Sequence, residues 1–480
     1  MKASHTRRRA GKEKVFRDAV HGYISVPDSY CSAYVDTDIF QRLRQIEQTS
    51  MRVLYPCAHH DRFAHSMGVF HLGSMAFHFL KRNSEKWFPT VSEDDWNRLK
   101  HTFRIACLLH DCGHAPFSHT FEKFYDIRSR LDPELQRHMD SKAFERDFKN
   151  CSPGPHEKAS AILALSRYAK VIESHGGDPK LAARMIIGCL HCGAKTTITR
   201  IENCLIQLLN GKAFDVDKLD YTARDTWASG VNNSTIDIQR ALAAIGIRPH
   251  LNNRTVLAFD KSALSVIQNL LDGRNFLFQW IYAHHKVRYD QYLLKTAVEG
   301  VARQIGGTDP DTVLLAIFNI DAFTKPTKVG DFVLDQPADG DLIHLMKHYR
   351  TKVPEAAEWL SRNHTRKALW KTEAEYHVHF NELDPQQRQT IRRTATEYLA
   401  GFQKKKALKQ PFVVLDEPPK IVTVERNEIY VTIDDKVLSY TETGLHHQPH
   451  KRLPECFFVY APLKALPYRK QIIKGLKALA

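Results

Sequence analysis

From about residue 36 to residue 300 the apolar positions recur with helical spacing. Ile39, Leu43 and Ile46 share one face, and Val69, Leu72 and Phe79 share another with Met75 and Ala76 between them, as an amphipathic helix requires. Ahead of this region, Val15-Phe16 and Tyr23–Pro27 are punctuated by Gly22 and Pro27, which predicts a short extended entry over 14–30. Pro133, the Cys151–Pro155 segment and His175–Pro179 mark loops between helices. Residues 310–410 remain largely helical, with Glu355–Leu360 and Glu382–Gln389 as the clearest candidates. After Gln410 the pattern changes to short β-rich runs: Phe412–Leu415, Lys420–Val424, Glu428–Ile433, Lys436–Tyr440 and Phe457–Tyr460. Asp434-Asp435 sits where a hairpin turn is expected, and Arg469 to the end reads as a basic amphipathic helix. The fold class predicted is mainly α. A disordered basic tail over 1–13 precedes a helical core over 14–300, a helical extension over 301–409 and a small C-terminal α+β lobe over 410–480.

Composition narrows the class. A hydrophobic content of 43% and a charged content of 26% describe a soluble globular chain whose 480 residues can bury a large core. No apolar run is long enough to span a bilayer, and the first residues lack the apolar stretch of a secretory signal. The nine cysteines are scattered, which fits free thiols in a cytoplasmic protein. Cys189-Leu-His-Cys192 has no second pair for a zinc ribbon and reads as helix-packed thiols. The net charge of +15 favours polyanionic partners, nucleoside triphosphates or nucleic acid. Part of it lies in Arg7-Arg-Arg9 and in Lys404-Lys-Lys406, runs that equally describe a solvated tail and face.

The chemistry starts at His110-Asp111. An apolar helical run, Phe103–Leu109, ends in these two adjacent metal-ligand side chains, followed by Gly113 and His114. Imidazole and carboxylate can occupy neighbouring coordination positions. Upstream, His65 lies one turn after Arg62, so an imidazole and a guanidinium can face one cleft. Downstream, Asp215, Asp217 and Asp220 compete to supply a second carboxylate. Two imidazoles and two carboxylates from three helices suit an octahedral divalent ion of the Mn, Fe, Ni or Mg kind, with Zn also open. Asp217, Tyr221 and Asp225 recur every four residues and share a helix face.

These motifs together resemble the HD-domain metal-dependent phosphohydrolases. More narrowly they resemble the deoxynucleoside triphosphate triphosphohydrolase branch that includes the vertebrate SAM-and-HD-domain enzyme and bacterial relatives. The resemblance spans roughly 14–300. It is carried by Asp18–Gly22, Phe40–Arg44, Arg62–Ser66, Leu109–His119, His156-Glu157 and Asp215–Asp225 in that order. It implies an HD-domain helical core whose metal ligands are His65, His110, Asp111 and Asp217. It implies that the chain hydrolyses deoxynucleoside triphosphates to deoxynucleoside and inorganic triphosphate, in nucleotide-pool control or antiviral defence. His114 would stand near the scissile phosphate, His156 would transfer a proton with Glu157 orienting it, and Arg62 would contact the triphosphate. Gln48, His119, Lys218, Tyr221 and Asp225 would contact substrate. The resemblance further implies a homo-oligomer, dimer or tetramer, and a nucleotide effector read by Lys14, Val15, Asp36 and Arg44. Asp36 as a helix cap, and Arg44 paired with a nearby acid, are the structural alternative.

The sequence departs from that pattern in places. Thr49-Ser50 follow Gln48 where relatives often have Leu-Gly, Ala283 stands where relatives place a tyrosine, and no SAM domain precedes the core. The same metal set also serves HD phosphodiesterases and nucleotide phosphatases acting on other phosphate esters, a second reading that these residues leave open.

Overall fold

Local signals in the chain start and stop the helices that matter most. A computed structural model describes residues 12–125, 127, 130–231, 236–251, 254–371, 383–416, 429–434, 436–444 and 457–479. The 1–11 part of the basic tail and the run Lys420–Val424 lie outside these. Helix α1 (Arg62–Ser84) opens at Asp61, whose carboxylate accepts the Ala64 N–H at 2.8 Å. Helix α2 (Glu93–Leu109) opens at Ser92 with three acids in its first turn, where the helix dipole favours negative charge. Helices α3 (Pro155–Ser166) and α4 (Pro179–Ile186) both begin with proline at their first position, and α5 (Thr197–Leu209) is capped by Thr196. Helix α6 (Val216–Ser229) is capped by Asp215 and ends at Gly230 in the left-handed region.

Helix α1 is the hub. It packs against α2 on one side and α6 on another, and most of its circumference is buried. That is why its sequence shows only a weak amphipathic stripe. Two glycines permit the close approaches. A Cβ at Gly73 would stand 2.5 Å from Cys107 Sγ on α2, and one at Gly68 would stand 1.8 Å from Asp220 Oδ1 on α6.

The expected extended entry is an antiparallel hairpin, β1 (Glu13–Asp18) and β2 (Gly22–Pro27). The helix expected over Ile39–Ile46 differs. Asp38–Gln41 is α-helical, Arg42–Gln45 tightens to a 3₁₀ turn, and Ile46 is extended. The buried set is Phe40, Leu43 and Ile46, a three-residue spacing that matches three residues per turn.

Beyond α6, strands β3 (Ile245–His250) and β4 (Arg254–Asp260) form a hairpin. Helices α7 (Leu264–Phe276) and α8 (His285–Gly306) follow, then the hairpin β5 (Thr327–Val329) and β6 (Phe332–Leu334) and helix α9 (Asp339–His348). Further on lie β7 (Arg366–Ala368), helix α10 (Pro385–Lys405), β8 (Val413–Asp416), β9 (Tyr430–Ile433), β10 (Lys436–Ser439), β11 (Phe457–Pro462) and helix α11 (Arg469–Lys477), with shorter helices between the named elements, among them Pro310–Ile317 and Pro354–Ser361. The fold is therefore mainly α with a C-terminal α+β region. The C-terminal strands also reach back into earlier chain. The β9–β10 hairpin joins the β3–β4 sheet through a parallel pairing of β9 with β4, while β11 lies between β7 and β8. Among the described residues no helix is long and apolar enough to cross a membrane.

Candidate active site

Three helix ends converge on one point. His65 lies in the first turns of α1, His110-Asp111 follow the last turn of α2, and Asp217 lies in the first turn of α6. His65 Nε2 is 2.9 Å from Asp217 Oδ1 and 3.3 Å from His110 Nε2. Asp111 stands 3.5 Å from each of these two rings. The far ring nitrogens are already engaged: His65 Nδ1 with Asp220 Oδ2 at 2.7 Å, and His110 Nδ1 with the Cys107 carbonyl at 2.9 Å. Both bonds turn Nε2 toward the shared point, as carboxylate and carbonyl partners do for metal-bound histidines. The donor atoms of His65, His110 and Asp217 lie within 4.8 Å of one another, so these residues fit a single divalent ion. Asp217 is held below the usual carboxylate range: burial opposes this, and the His110 and His65 rings that face its carboxylate, 3.7 and 2.9 Å away, overcome it.

The rival aspartates are occupied elsewhere. Asp215 caps α6 through the Lys218 N–H and takes the Lys218 ammonium at 2.5 Å. Asp220 is fully buried and accepts from His21, His65 and Arg224.

A second cluster adjoins the first. His114 is fully buried and stacks on His156 with ring centroids 4.0 Å apart. Its Nε2 lies 3.3 Å from Asp111 Oδ1 without hydrogen-bond geometry, and both its ring nitrogens lack a hydrogen-bond partner among the described residues. The carboxylate facing His156 Nδ1 is Glu122, which also meets His119 Nδ1 at 2.8 Å. Glu157 was expected to orient His156. Instead it accepts from Gly154 N–H as part of the α3 cap and from Asn210 Nδ2. Burial, Arg62 and His156 push the His114 pKa well down. For His156, burial also pulls downward, but Glu122 outweighs it and raises the pKa. Adjacent imidazoles with pKa values driven apart can divide acid and base roles between them. His119 is largely exposed at the rim.

These groups line a cleft of about 630 Å³. Arg62 is spent on the protein: Nε donates to Ser118 Oγ, one terminal nitrogen to Asp111 and the other to the Gln48 carbonyl. Gln48 Oε1 is buried without a hydrogen-bond partner among the described residues. Tyr221 accepts from Arg274 Nε at 2.7 Å, and Asp225 accepts from His60 Nε2 and from the Tyr282 hydroxyl. Tyr282 was not singled out from sequence, where Ala283 stood at the position compared. A π-helical turn over Leu277–Tyr282 brings Tyr282 to the cleft and buries Ala283. Arg274, Arg288 and Lys295 also line the cleft, as does Leu415 from β8. Their signal in sequence was only their charge or apolarity, which many exposed and core residues share.

Away from this cleft, Lys14 Nζ donates to Asp36 Oδ2 at 2.7 Å with both side chains about half exposed. Val15 is exposed beside them. Asp36 does not cap the helix that follows, since Thr37 holds its N-cap position; it ends the π-helical turn Cys31–Val35 instead. Arg44 donates to Gln41 Oε1 and lies 3.5 Å over the Phe63 ring, with no ion pair to an acid among the described residues.

Residues 62–208 match the HD domain family. Over 231 residues the chain is 32% identical to the deoxynucleoside triphosphate triphosphohydrolase SAMHD1 homolog of Dictyostelium discoideum, covering 48% of this chain and 39% of that protein. It is 27% identical to human deoxynucleoside triphosphate triphosphohydrolase SAMHD1 over 344 residues, 65% of this chain and 49% of that protein. The chain thus spans about half the length of the curated relatives it matches. In fold it is similar to a phosphohydrolase from Bacteroides thetaiotaomicron, with a TM-score of 0.62 at 19% identity over 94% of this chain and all of that one. The chain is thus similar to the HD domain family over residues 62–208, and it resembles deoxynucleoside triphosphate triphosphohydrolases over a longer stretch.

Proposed function

We propose that the protein hydrolyses deoxynucleoside triphosphates to deoxynucleoside and inorganic triphosphate. The observation that carries this reading is the meeting of His65, His110, Asp111 and Asp217 beside the stacked His114–His156 pair in one cleft. A divalent ion held by those four residues would supply Lewis acidity to a phosphate oxygen and lower the pKa of a water. The relatives' activity, together with the shared motifs, points to the α-phosphorus as the centre attacked.

This chain's own groups have separate tasks. Arg62, fixed by Ser118 and Gln48, holds the Asp111 carboxylate in place and presents positive charge at the cleft wall. Lys218 adds a second charge, held in position by Asp215 and the Gly211 carbonyl. Arg274, Arg288 and Lys295 supply further positive charge for a polyphosphate chain. Tyr221, Asp225 and Tyr282 form a wall on which a sugar ring can rest, with the Asp225 carboxylate able to accept from its 3′-hydroxyl. In the bond change a water oxygen joins phosphorus, its proton leaving to solvent, as the P–O5′ bond breaks. His156, whose protonated form Glu122 favours, delivers a proton to O5′.

Incubation with each dNTP should therefore give tripolyphosphate in phosphorus NMR, one equivalent per deoxynucleoside. Orthophosphate alone would assign the site to a phosphatase, and turnover only of cyclic or diester substrates to a phosphodiesterase.

The Lys14–Asp36 pair supports a separate regulatory reading. An aspartate can accept from the N1 and N2 donors of guanine, and lysine can meet phosphates. In that reading a guanine nucleotide replaces each partner of the pair and joins copies of the chain, so assembly and rate rise with effector occupancy. Light scattering and initial rates with GTP are expected to show this for the wild-type protein and to lose it in Asp36→Ala. Assembly and rate that ignore every added nucleotide beyond substrate saturation would remove the regulatory reading and leave the catalytic one intact.

A further inference from the structure

We propose that Asp339, which lies beyond the HD domain in sequence, is a positioning residue that sets the distance between two edges of the cleft. Asp339 opens helix α9 and is almost fully buried. No ion pair engages it among the described residues; its two oxygens instead hold two separate strips of backbone. Oδ2 accepts the Glu47 N–H at 2.9 Å and Oδ1 accepts the Phe117 N–H at 2.5 Å. Each strip leads straight into the cleft: Gln48 follows Glu47, and Ser118 and His119 follow Phe117.

The second strip needs holding. Phe117 and Ser118 both adopt the left-handed region, with φ of 56° and 51°. Non-glycine residues remain there only where their surroundings over-determine the backbone. The surroundings here come from the segment Pro337–Asp339. Arg42 donates to the Pro337 carbonyl at 2.9 Å and to the His114 carbonyl at 2.6 Å. The His114–Phe117 turn is therefore tied at its start through Arg42 and at its end through Asp339. Ser118 completes the link between the strips, donating to the Glu47 carbonyl while it accepts from Arg62 Nε.

None of these bonds is made directly to His65, His110, Asp111 or Asp217; Ser118 reaches Asp111 only through Arg62, which keeps its own bond to that carboxylate. Removing Asp339 should thus leave metal loading intact while the His119 edge and the Gln48 edge drift apart. A displacement of about 1 Å at a reacting centre can cost on the order of 100-fold in rate. The inference about catalysis rests on the triphosphohydrolase reading; the latch itself does not.

The test uses the full chain as Asp339→Ala and Asp339→Asn. Amide hydrogen exchange at Glu47 and Phe117 is followed without substrate, together with metal content by mass spectrometry. Rates with a dNTP are then measured well below the melting temperature. In Asp339→Ala both amides are expected to exchange at least about tenfold faster, and kcat to fall by about tenfold or more with metal content unchanged. KM is expected to change less than kcat. Asp339→Asn keeps one acceptor oxygen, so it should protect one of the two amides and recover part of kcat. It also carries the test if the alanine variant does not fold. Wild-type exchange at both amides would overturn the latch. A fall in rate that only tracks the folded fraction would overturn the positioning role. If the wild type turns over no dNTP, the functional reading fails, and the exchange at the two amides still decides the latch.

Discussion

Asp217→Ala, and His110→Ala combined with Asp111→Ala, are expected to abolish hydrolysis and strip the bound divalent ion without unfolding the chain. Asp217 is the most exposed of the four candidate ligands, with its side chain 32% accessible at the cleft floor. Among the described residues its carboxylate pairs with His65 and His110 alone, and His65 keeps Asp220 when it goes. Its loss therefore costs little folding energy. It removes one of four donors to a divalent ion, and even partners one shell out from a metal change affinity or activity by about 10–100-fold. A ligand itself should exceed that range. The double variant removes one imidazole and the carboxylate paired with buried Arg62, so it should be less stable than Asp217→Ala while remaining folded, and should show no turnover above background. Metal content, circular dichroism and dNTP turnover read the three consequences separately. Full activity in a metal-depleted double variant would sink the four-ligand reading.

The meeting of the four candidate ligands could be anticipated from the chain because they are close in sequence to strong helix punctuation. His110-Asp111 ends an apolar run, and Asp215 at a helix cap puts Asp217 in the first turn and Tyr221 and Asp225 on the same face. Glu122 was not legible. It reaches His156 only because Ser118–Phe124 folds as a 3₁₀ helix, which no periodic pattern announces. Tyr282 was missed because a π-helical turn shifts the register that an α-helical count assumes. Asp220 was read as a rival ligand, and only the packing of α1 on α6 gives it His65, His21 and Arg224 together. The C-terminal strands were visible as β-rich runs, whereas the partner of β9 was not, because a parallel pairing with β4 spans a long stretch of chain.

Asp220→Ala should be the most destabilising single change at the site, costing about 3–5 kcal/mol. Asp220 is fully buried and accepts four hydrogen bonds: from His21 Nε2 at 2.6 Å, His65 Nδ1 at 2.7 Å, and Arg224 at 2.8 and 3.0 Å. Arg224 is also buried, and after the change Asp18, at 2.9 Å, is its one remaining ion-pair partner among the described residues. A guanidinium left with half its partners in a dry interior is the expensive outcome, more than the loss of the ion pair itself. Replacing both partners, Asp220→Ala with Arg224→Met, removes that orphaned charge and should recover much of the stability. The double variant does not recover the carboxylate that turns His65 toward the metal position, so divalent-ion affinity should stay about 10–100-fold below wild type. Chemical denaturation and metal titration of the two variants separate these effects. Equal stability of Asp220→Ala and wild type would show that the four bonds contribute nothing net. Wild-type metal affinity in the double variant would show that His65 needs no orienting carboxylate.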